Sequence, residues 1–331
     1  MKIAVLGAGR IGNVHASNVA AHSKVELVAI ADPFIENAIK LTEIYGGKAV
    51  KDPMELIEDD SIDGIVIATP TDTHVDLMLS AARKGKAVLC EKPVDLNLER
   101  AKIACEELKN LDAPVMIAFN RRFDPSASEI HQAIANGEIG ELHQIMISSR
   151  DPGFASMDYL RHSGGIFRDM TIHDFDMARW LLGEEPIEVY ASASRMLEPA
   201  LEALNDYDTV MVQMTTRSGK QCHINCSRQA VYGHDQRIEA YGSAGMLMND
   251  NLRPSTVRRY NQNATDSRSP LVHFFLERYA DAYRKEMDAF VNMIGQPKAV
   301  PITPFDGYMA LKLAECAQRS VESGKPVKVE V

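Results

Sequence analysis

The sequence has no apolar run near the ~20 residues that a membrane-spanning helix needs. It has no basic surplus either. Its 36 Lys and Arg stand against 46 Asp and Glu, a formal net charge of −10. Nucleic-acid binders carry the opposite balance, so that class of partner is not expected. Cysteine is sparse and odd in number: Cys90, Cys105, Cys222, Cys226 and Cys316, scattered through apolar segments. That excludes a disulfide framework and fits the reduced thiols of a cytoplasmic protein. Cys222 and Cys226 flank His223, but two-residue periodicity puts both thiols on one face of a strand. No second ligand pair is near, so no metal is expected there. The opening residues, 1–7, hold one Lys and a short apolar run before glycines and Arg10, and read as a first strand rather than an export signal. Repeats and low-complexity linkers are lacking too.

What is there is an ordinary globular balance, 45% hydrophobic and 25% charged, in 331 residues. At roughly 150 residues per domain, that length predicts two domains. Over the first part, short β-rich runs (2–7, 25–31, 63–68, 86–90 and 115–119) alternate with helical patterns (10–22, 35–45, 73–84 and 98–111). Continuous β-branched runs separated by amphipathic helices predict a parallel sheet covered on both faces, a doubly wound Rossmann fold over residues 1–120. After Asn120 the rhythm changes. A helix is expected at 126–136, a strand at 142–149 and a mostly helical stretch at 165–182. Strands follow at 187–195, 209–216, 221–228 and 236–242, then helices at 271–294 and 305–323. Strands joined by short turns pair antiparallel. Residues 121–331 are therefore expected to form an α+β domain around a large, mainly antiparallel open sheet.

Gly7-Ala8-Gly9-Arg10-Ile11-Gly12 follows the first strand and opens the first helix, the context a dinucleotide fingerprint needs. The glycines permit a tight turn and close approach of a pyrophosphate, and the helix start offers free N–H groups. Asp32 ends the next strand about 20 residues on, where a carboxylate meets the adenosine ribose hydroxyls. It would repel a 2′-phosphate, and no Lys or Arg follows immediately, so NAD is expected rather than NADP.

Thr69, Pro70 and His74 sit where a later strand runs into a helix, at the crevice formed by carboxyl ends of parallel strands. Turn chemistry and helix capping account for the same residues equally well. Glu91-Lys92-Pro93 ends the following strand. A Lys there can hydrogen-bond a substrate hydroxyl and stabilise developing negative charge. Pro93 keeps Lys92 extended and allows a cis bond. A solvated Lys at a strand end is the plainer alternative. Asp169 and His173 stand four apart, on one face if the stretch is helical. An imidazole can take a hydroxyl proton while a carboxylate orients it. An exposed Asp–His pair would have the same spacing. Met170, Ile172 and Trp180 read as core, and Asp174 and Asp176 as solvated charges.

In this order and spacing, these motifs resemble the family of glucose–fructose oxidoreductase, inositol dehydrogenase and rhizopine-catabolism proteins, over essentially the whole chain. The stretches Ala118-Phe119-Asn120-Arg121-Arg122-Phe123-Asp124, Ser149-Arg150-Asp151-Pro152 and the run from Ser163 to Arg179 fit it as well. The resemblance is strongest to bacterial members that oxidise inositol. It implies a catalytic group of Lys92, Asp169 and His173, with His173 the proton acceptor. It implies NAD contacts at Gly7, Gly9, Arg10, Ile11, Gly12, Asp32, Thr69, Pro70, His74, Glu91 and Lys92. It further implies polyol contacts at Asn120, Arg121, Asp151, Asp169, His173 and Tyr232. The implied reaction is oxidation of myo-inositol at C2. Other cyclitols or sugars, an NAD-dependent glycosidase and a non-catalytic NAD-binding regulator are the rivals. Arg121 and Arg122 are expected to point oppositely at a strand end, with Arg121 toward the pocket. Residues 153–162 are expected to form a lid. The family also implies a homo-oligomer, dimer or tetramer, joined through the second domain's sheet.

Overall fold

Ile3, Ala4, Val5 and Leu6 are all fully buried. A strand apolar at every position has both faces covered, which in practice means a parallel sheet between helices. The computed structural model describes residues 1–296 and 300–330. Its chain forms two compact units, the first made of Met1–Phe123 with Ala282–Leu311, the second of Asp124–Asp281 with Lys312–Val331.

The first unit opens with β1 (Lys2–Leu6), α1 (Arg10–Ala21), β2 (Glu26–Ala31), α2 (Ile35–Tyr45), β3 (Lys48–Val50) and α3 (Pro53–Glu58). It continues with β4 (Gly64–Ile67), α4 (His74–Arg83), β5 (Ala87–Glu91), α5 (Leu98–Leu108) and β6 (Val115–Ala118). The six strands are parallel in the order β3-β2-β1-β4-β5-β6. This is the doubly wound order, with its switch point between β1 and β4. The expected strands and helices are all present. The short β3 and α3 are additional: three and six residues are too few to show a period. Local chemistry still marks α3, since Asp52 accepts from the Met54 N–H at 2.9 Å and Pro53 holds the first helical position.

The second unit contains α6 (Pro125–Ala135), β7 (Leu142–Arg150), α7 (Met157–His162), α8 (Ile166–Asp169), α9 (Ile172–Leu182), β8 (Pro186–Ser194) and β9 (Thr209–Thr216). Then come β10 (Gln221–Ser227), β11 (Asp235–Gly242), β12 (Gly245–Met248) and the hairpin β13 (Arg258–Asn261) and β14 (Ala264–Arg268). α10 (Phe275–Arg278) precedes α11 (Ala280–Met293), most of which returns to the first unit; α12 (Pro304–Ser323) and β15 (Val327–Lys328) follow. The large sheet runs β12-β11-β7-β10-β9-β8-β15. All its pairs are antiparallel except β7 with β10. That parallel pair brings the carboxyl ends of β7 and β10 side by side, Arg150 opposite Ser227.

Alternate strand residues are buried and exposed, so one face of this sheet is covered and the other open. Ile145, Ile147, Val212, Ile224 and Cys226 point inward, while Met146, Tyr190 and Met211 are exposed. Truncating one such core Ile to Ala costs about 2–5 kcal/mol. α9 buries Ile172, Phe175, Ala178 and Leu181. Contrary to expectation, Asp174 and Asp176 are buried with them. Trp180 is half-buried and stacks on His131 with ring centroids 4.0 Å apart. Cys222 and Cys226 share the inward face as free thiols, and burial pushes both well above the usual thiol range. Among the described residues, no helix is long and apolar enough to cross a membrane. No group of three His, Cys, Asp or Glu side chains among them could hold a metal ion.

The return segment completes the first core. Phe290 of α11 packs on Gly64, where an added Cβ would lie 3.0 Å from its ring. The Ile117 N–H donates to the Ile302 carbonyl at 3.1 Å.

Candidate active site

In the first unit the candidate residues lie where parallel strands run out. Gly7 has φ +98°, and a Cβ there would run into the Ala68 backbone. A Cβ on Gly12 would strike the Gly7 carbonyl. Gly9 is different: nothing lies within 4 Å of the place its Cβ would take. Gly7 and Gly12 thus close the turn, and Gly9 leaves a cradle in front of α1. That helix has no side-chain cap and no acid in its first turn. Its free N–H groups and the dipole's positive end suit an anion. Arg10 is exposed beside the cradle and Ile11 half-buried. Asp32 is buried; it accepts from the Ala8 N–H at 2.8 Å and the Phe34 N–H at 2.9 Å. The acid is therefore hydrogen-bonded directly to the glycine turn. The open cradle, uncapped helix and fixed carboxylate fit a dinucleotide.

Between β4 and α4, Thr69 and Thr73 share a hydroxyl hydrogen bond of 2.7 Å, while Pro70 is exposed. His74 is buried, with Nδ1 2.8 Å from the Pro93 carbonyl and Nε2 2.9 Å from the Thr69 carbonyl. Both ring nitrogens are thus engaged by main chain, and His74 ties the end of β4 to that of β5. The Lys92–Pro93 peptide is cis. Glu91 meets the buried His15 ring at 2.8 Å, and Lys92 beside it is half-buried.

Asn120–Phe123 form a 3-10 turn rather than a strand end, so the two-residue alternation expected for Arg121 and Arg122 does not apply. Arg122 is buried and paired with Asp306 at 3.0 Å, whereas Arg121 is half-buried. Asn120 is also buried, and its side-chain N–H₂ meets no acceptor among the described residues. A buried amide left so commonly belongs to a ligand or an ordered water.

In the second unit, Asp169 ends α8 and His173 lies in the first turn of α9. They do not share one continuous helix, because the chain tightens at Met170–Thr171. There the His173 N–H donates to the Met170 carbonyl at 3.2 Å, a bond to the residue three back. Both side chains remain half-buried. The Asp169 carboxylate accepts from the Tyr159 hydroxyl at 2.7 Å and from Arg228 at 3.2 Å. Arg228 is almost fully buried and also donates to Asp206 at 2.9 Å.

Neither Tyr159 nor Arg228 stands out in the sequence motifs. A signal for Arg228 does exist: Cys222, Ile224, Cys226 and Arg228 share strand parity, so a charge stands in an inward-facing row. Tyr159 belongs to α7, within the stretch expected to form a lid.

Asp151 follows the end of β7 and faces the buried His234 ring at 3.3 Å. The Tyr232 hydroxyl is engaged elsewhere, donating to Asp235 at 2.7 Å and accepting from Arg150 at 2.8 Å. Arg150 and Asp235 occupy the open-face parity of the sheet, so this network is distinct from the one around Asp169. Burial works to raise the Asp235 pKa, but hydrogen bonds from Arg237, Tyr232 and Asn251 outweigh it and hold it at about 2.

A six-stranded Rossmann unit with an open glycine cradle and a buried acid, followed by an α+β unit carrying an Asp–His pair, defines an NAD-binding oxidoreductase. Residues 1–119 match the oxidoreductase family's NAD-binding Rossmann fold, and residues 131–329 match its C-terminal alpha/beta domain. The chain belongs to this glucose–fructose oxidoreductase, inositol dehydrogenase and rhizopine-catabolism family. It is 44% identical, over 99% of both chains, to an inositol 2-dehydrogenase of Rhizobium meliloti. The crystal structure of a myo-inositol dehydrogenase from Corynebacterium glutamicum superposes with a TM-score of 0.96 at 46% identity, covering 100% of this chain and 99% of that one. A scyllo-inositol dehydrogenase from Lactobacillus casei, solved with NAD(H) and scyllo-inositol, gives 0.92 at 28% identity over 99% of each chain.

Proposed function

We propose that this chain is a dehydrogenase of the inositol 2-dehydrogenase type that oxidises myo-inositol at C2 to the 2-keto-inositol. The observation that carries the reading is full-length likeness to named inositol dehydrogenases at 44–46% identity, with Lys92, Asp169 and His173 all present. Bound NAD accepts the hydride that leaves the ring carbon. His173 removes the hydroxyl proton as the C–H and O–H bonds break and the C=O bond forms. Lys92 donates to the same oxygen and stabilises its developing charge. Asp169 orients the imidazole and the substrate.

In this reading Gly7, Gly9, Arg10, Ile11 and Gly12 hold the pyrophosphate, and Asp32 holds the adenosine ribose. Thr69, Pro70 and Glu91 border the cofactor, and His74 fixes the loops that carry them. The orphan amide of Asn120 supports a ligand contact there. Arg121 and Asp151 supply further polar contacts, and Tyr232 enters only through its exposed ring. The first unit holds NAD; the second holds the polyol and joins copies of the chain through its open sheet face. Exposed Met146, Tyr190, Met211 and Tyr241 on that face support this last assignment.

A panel of cyclitols and aldoses incubated with NAD, with NADH read by absorbance and the product identified, tests the reading. The expected result is one NADH per 2-keto-inositol, with myo-inositol giving the highest kcat/KM. NADH from another ring alone would move the substrate assignment. Glycoside hydrolysis without net NADH, or no turnover with any of them, would contradict it.

A further inference from the structure

The helix that carries Asp169 is tied at both ends to one buried ion pair. At its start, the Ile166 N–H donates to Asp206 Oδ1 at 2.7 Å. At its end, Asp169 Oδ2 accepts from Arg228 Nη1 at 3.2 Å. Asp206 and Arg228 meet at 2.9 Å, with side chains only 2% and 3% exposed. Asp206 is anchored further by the Tyr207 N–H at 2.7 Å, and Arg228 Nε donates to the Tyr207 carbonyl at 3.2 Å. The guanidinium fork is thus aimed by two fixed partners, the Asp206 carboxylate and the Tyr207 carbonyl, as it donates to Asp169.

We propose that Arg228, aimed by Asp206, is the positioning residue that fixes the Asp169 carboxylate. This rests on the reading of Asp169 as part of the catalytic group. A buried charge pair is weak evidence of stability, because apolar residues of similar volume often serve a core equally well. A guanidinium between two carboxylates, one of them the candidate catalytic Asp169, therefore calls for another role. Burial alone opposes the Arg228 charge, and Asp206 and Asp169 outweigh it. Arg228 turns Asp169 Oδ2 inward. Oδ1 accepts from the hydroxyl of Tyr159, a residue 51% exposed. A polyol hydroxyl can join or replace that phenol on the same oxygen. Asp169 meets Tyr159 on α7 and Arg228 just after β10; Arg228 in turn faces Asp206 before β9 and the Cys226 thiol on β10, and Tyr159 faces Asp151 after β7.

The test compares Arg228→Met, Arg228→Lys and Asp169→Asn in the full chain, reading NAD affinity, kcat and KM. Arg228→Met is expected to bind NAD within about twofold of the parent. Its kcat/KM for inositol should fall about 10- to 100-fold, a share of what acid–base assistance contributes. The loss should fall on kcat more than on KM, because a mispositioned carboxylate spoils the reacting geometry more than ground-state binding. Arg228→Lys keeps the charge but not the fork. It should leave kcat low, and it serves alone if the Met variant does not fold. A parental kcat and kcat/KM in both Arg228 variants, with Asp169→Asn inactive, would overturn the proposal and leave the catalytic reading standing. A fully active Asp169→Asn would overturn both.

Discussion

The Asp32 carboxylate accepts a hydrogen bond from the Ala8 N–H at 2.8 Å, joining the acid at the end of β2 to the glycine turn after β1. Its other oxygen accepts from Phe34. The main chain thus sets the angle of the carboxylate while leaving lone pairs for two ribose hydroxyls. Asp32→Ser should weaken NAD binding by roughly 10- to 100-fold, the value of a charge-assisted hydrogen bond. It should narrow the preference over NADP, because the repulsion of a 2′-phosphate goes with the charge. Titration of both cofactors against parent and variant measures this. An unchanged NAD:NADP ratio would remove Asp32 from cofactor selection.

Glu286 lies in the buried row of α11, and neither carboxyl oxygen has a hydrogen-bond partner among the described residues. Burial first, and the Glu91 charge second, push its pKa well above the ordinary 4.5. The folded protein therefore holds this proton more tightly than the unfolded chain. Glu286's contribution is most favourable below pH 4.5 and is lost as pH rises toward the folded pKa. Glu286→Gln removes that dependence. Relative to the parent, its melting temperature should rise steadily from pH 4.5 to pH 8 in thermal scans. A constant difference across that range would show that Glu286 does not titrate as described.

The open face of the second unit's sheet should join copies of the chain. Met211 is central on that face and 55% exposed. A charge there would be desolvated on association. Met211→Glu should lower the molar mass measured by light scattering, with far-ultraviolet dichroism unchanged. A parent that scatters as a single chain would contradict the assignment.

The first unit was legible because its signals are local and repeated. Each strand is an uninterrupted apolar run, each helix is amphipathic, and the glycine turn and Asp32 fall at fixed offsets. The second unit was legible in its elements and less so in its pairings. Nothing local records that β7 and β10 run parallel, since that depends on which strands the sheet interposes. The helical stretch around Asp169 was expected as one piece and is two, with the break at Met170–Thr171. Asp174 and Asp176 read as solvated because charge type alone does not reveal burial. Arg228 stands 59 residues from Asp169, and only the fold brings them to hydrogen-bond distance. Buried polar partnerships are tertiary facts. Their trace in sequence is at most a charge in an apolar row, as at Arg228 and Glu286.

If His173 accepts the substrate proton, removing its imidazole must spare cofactor binding and stop turnover. His173→Ala should bind NAD with an affinity within about twofold of the parent, since the dinucleotide contacts lie in the first unit. Its kcat with myo-inositol should fall by at least about 100-fold, the lower end of what a positioned acid–base group contributes. A variant that binds NAD and turns over at the parental rate would contradict the account.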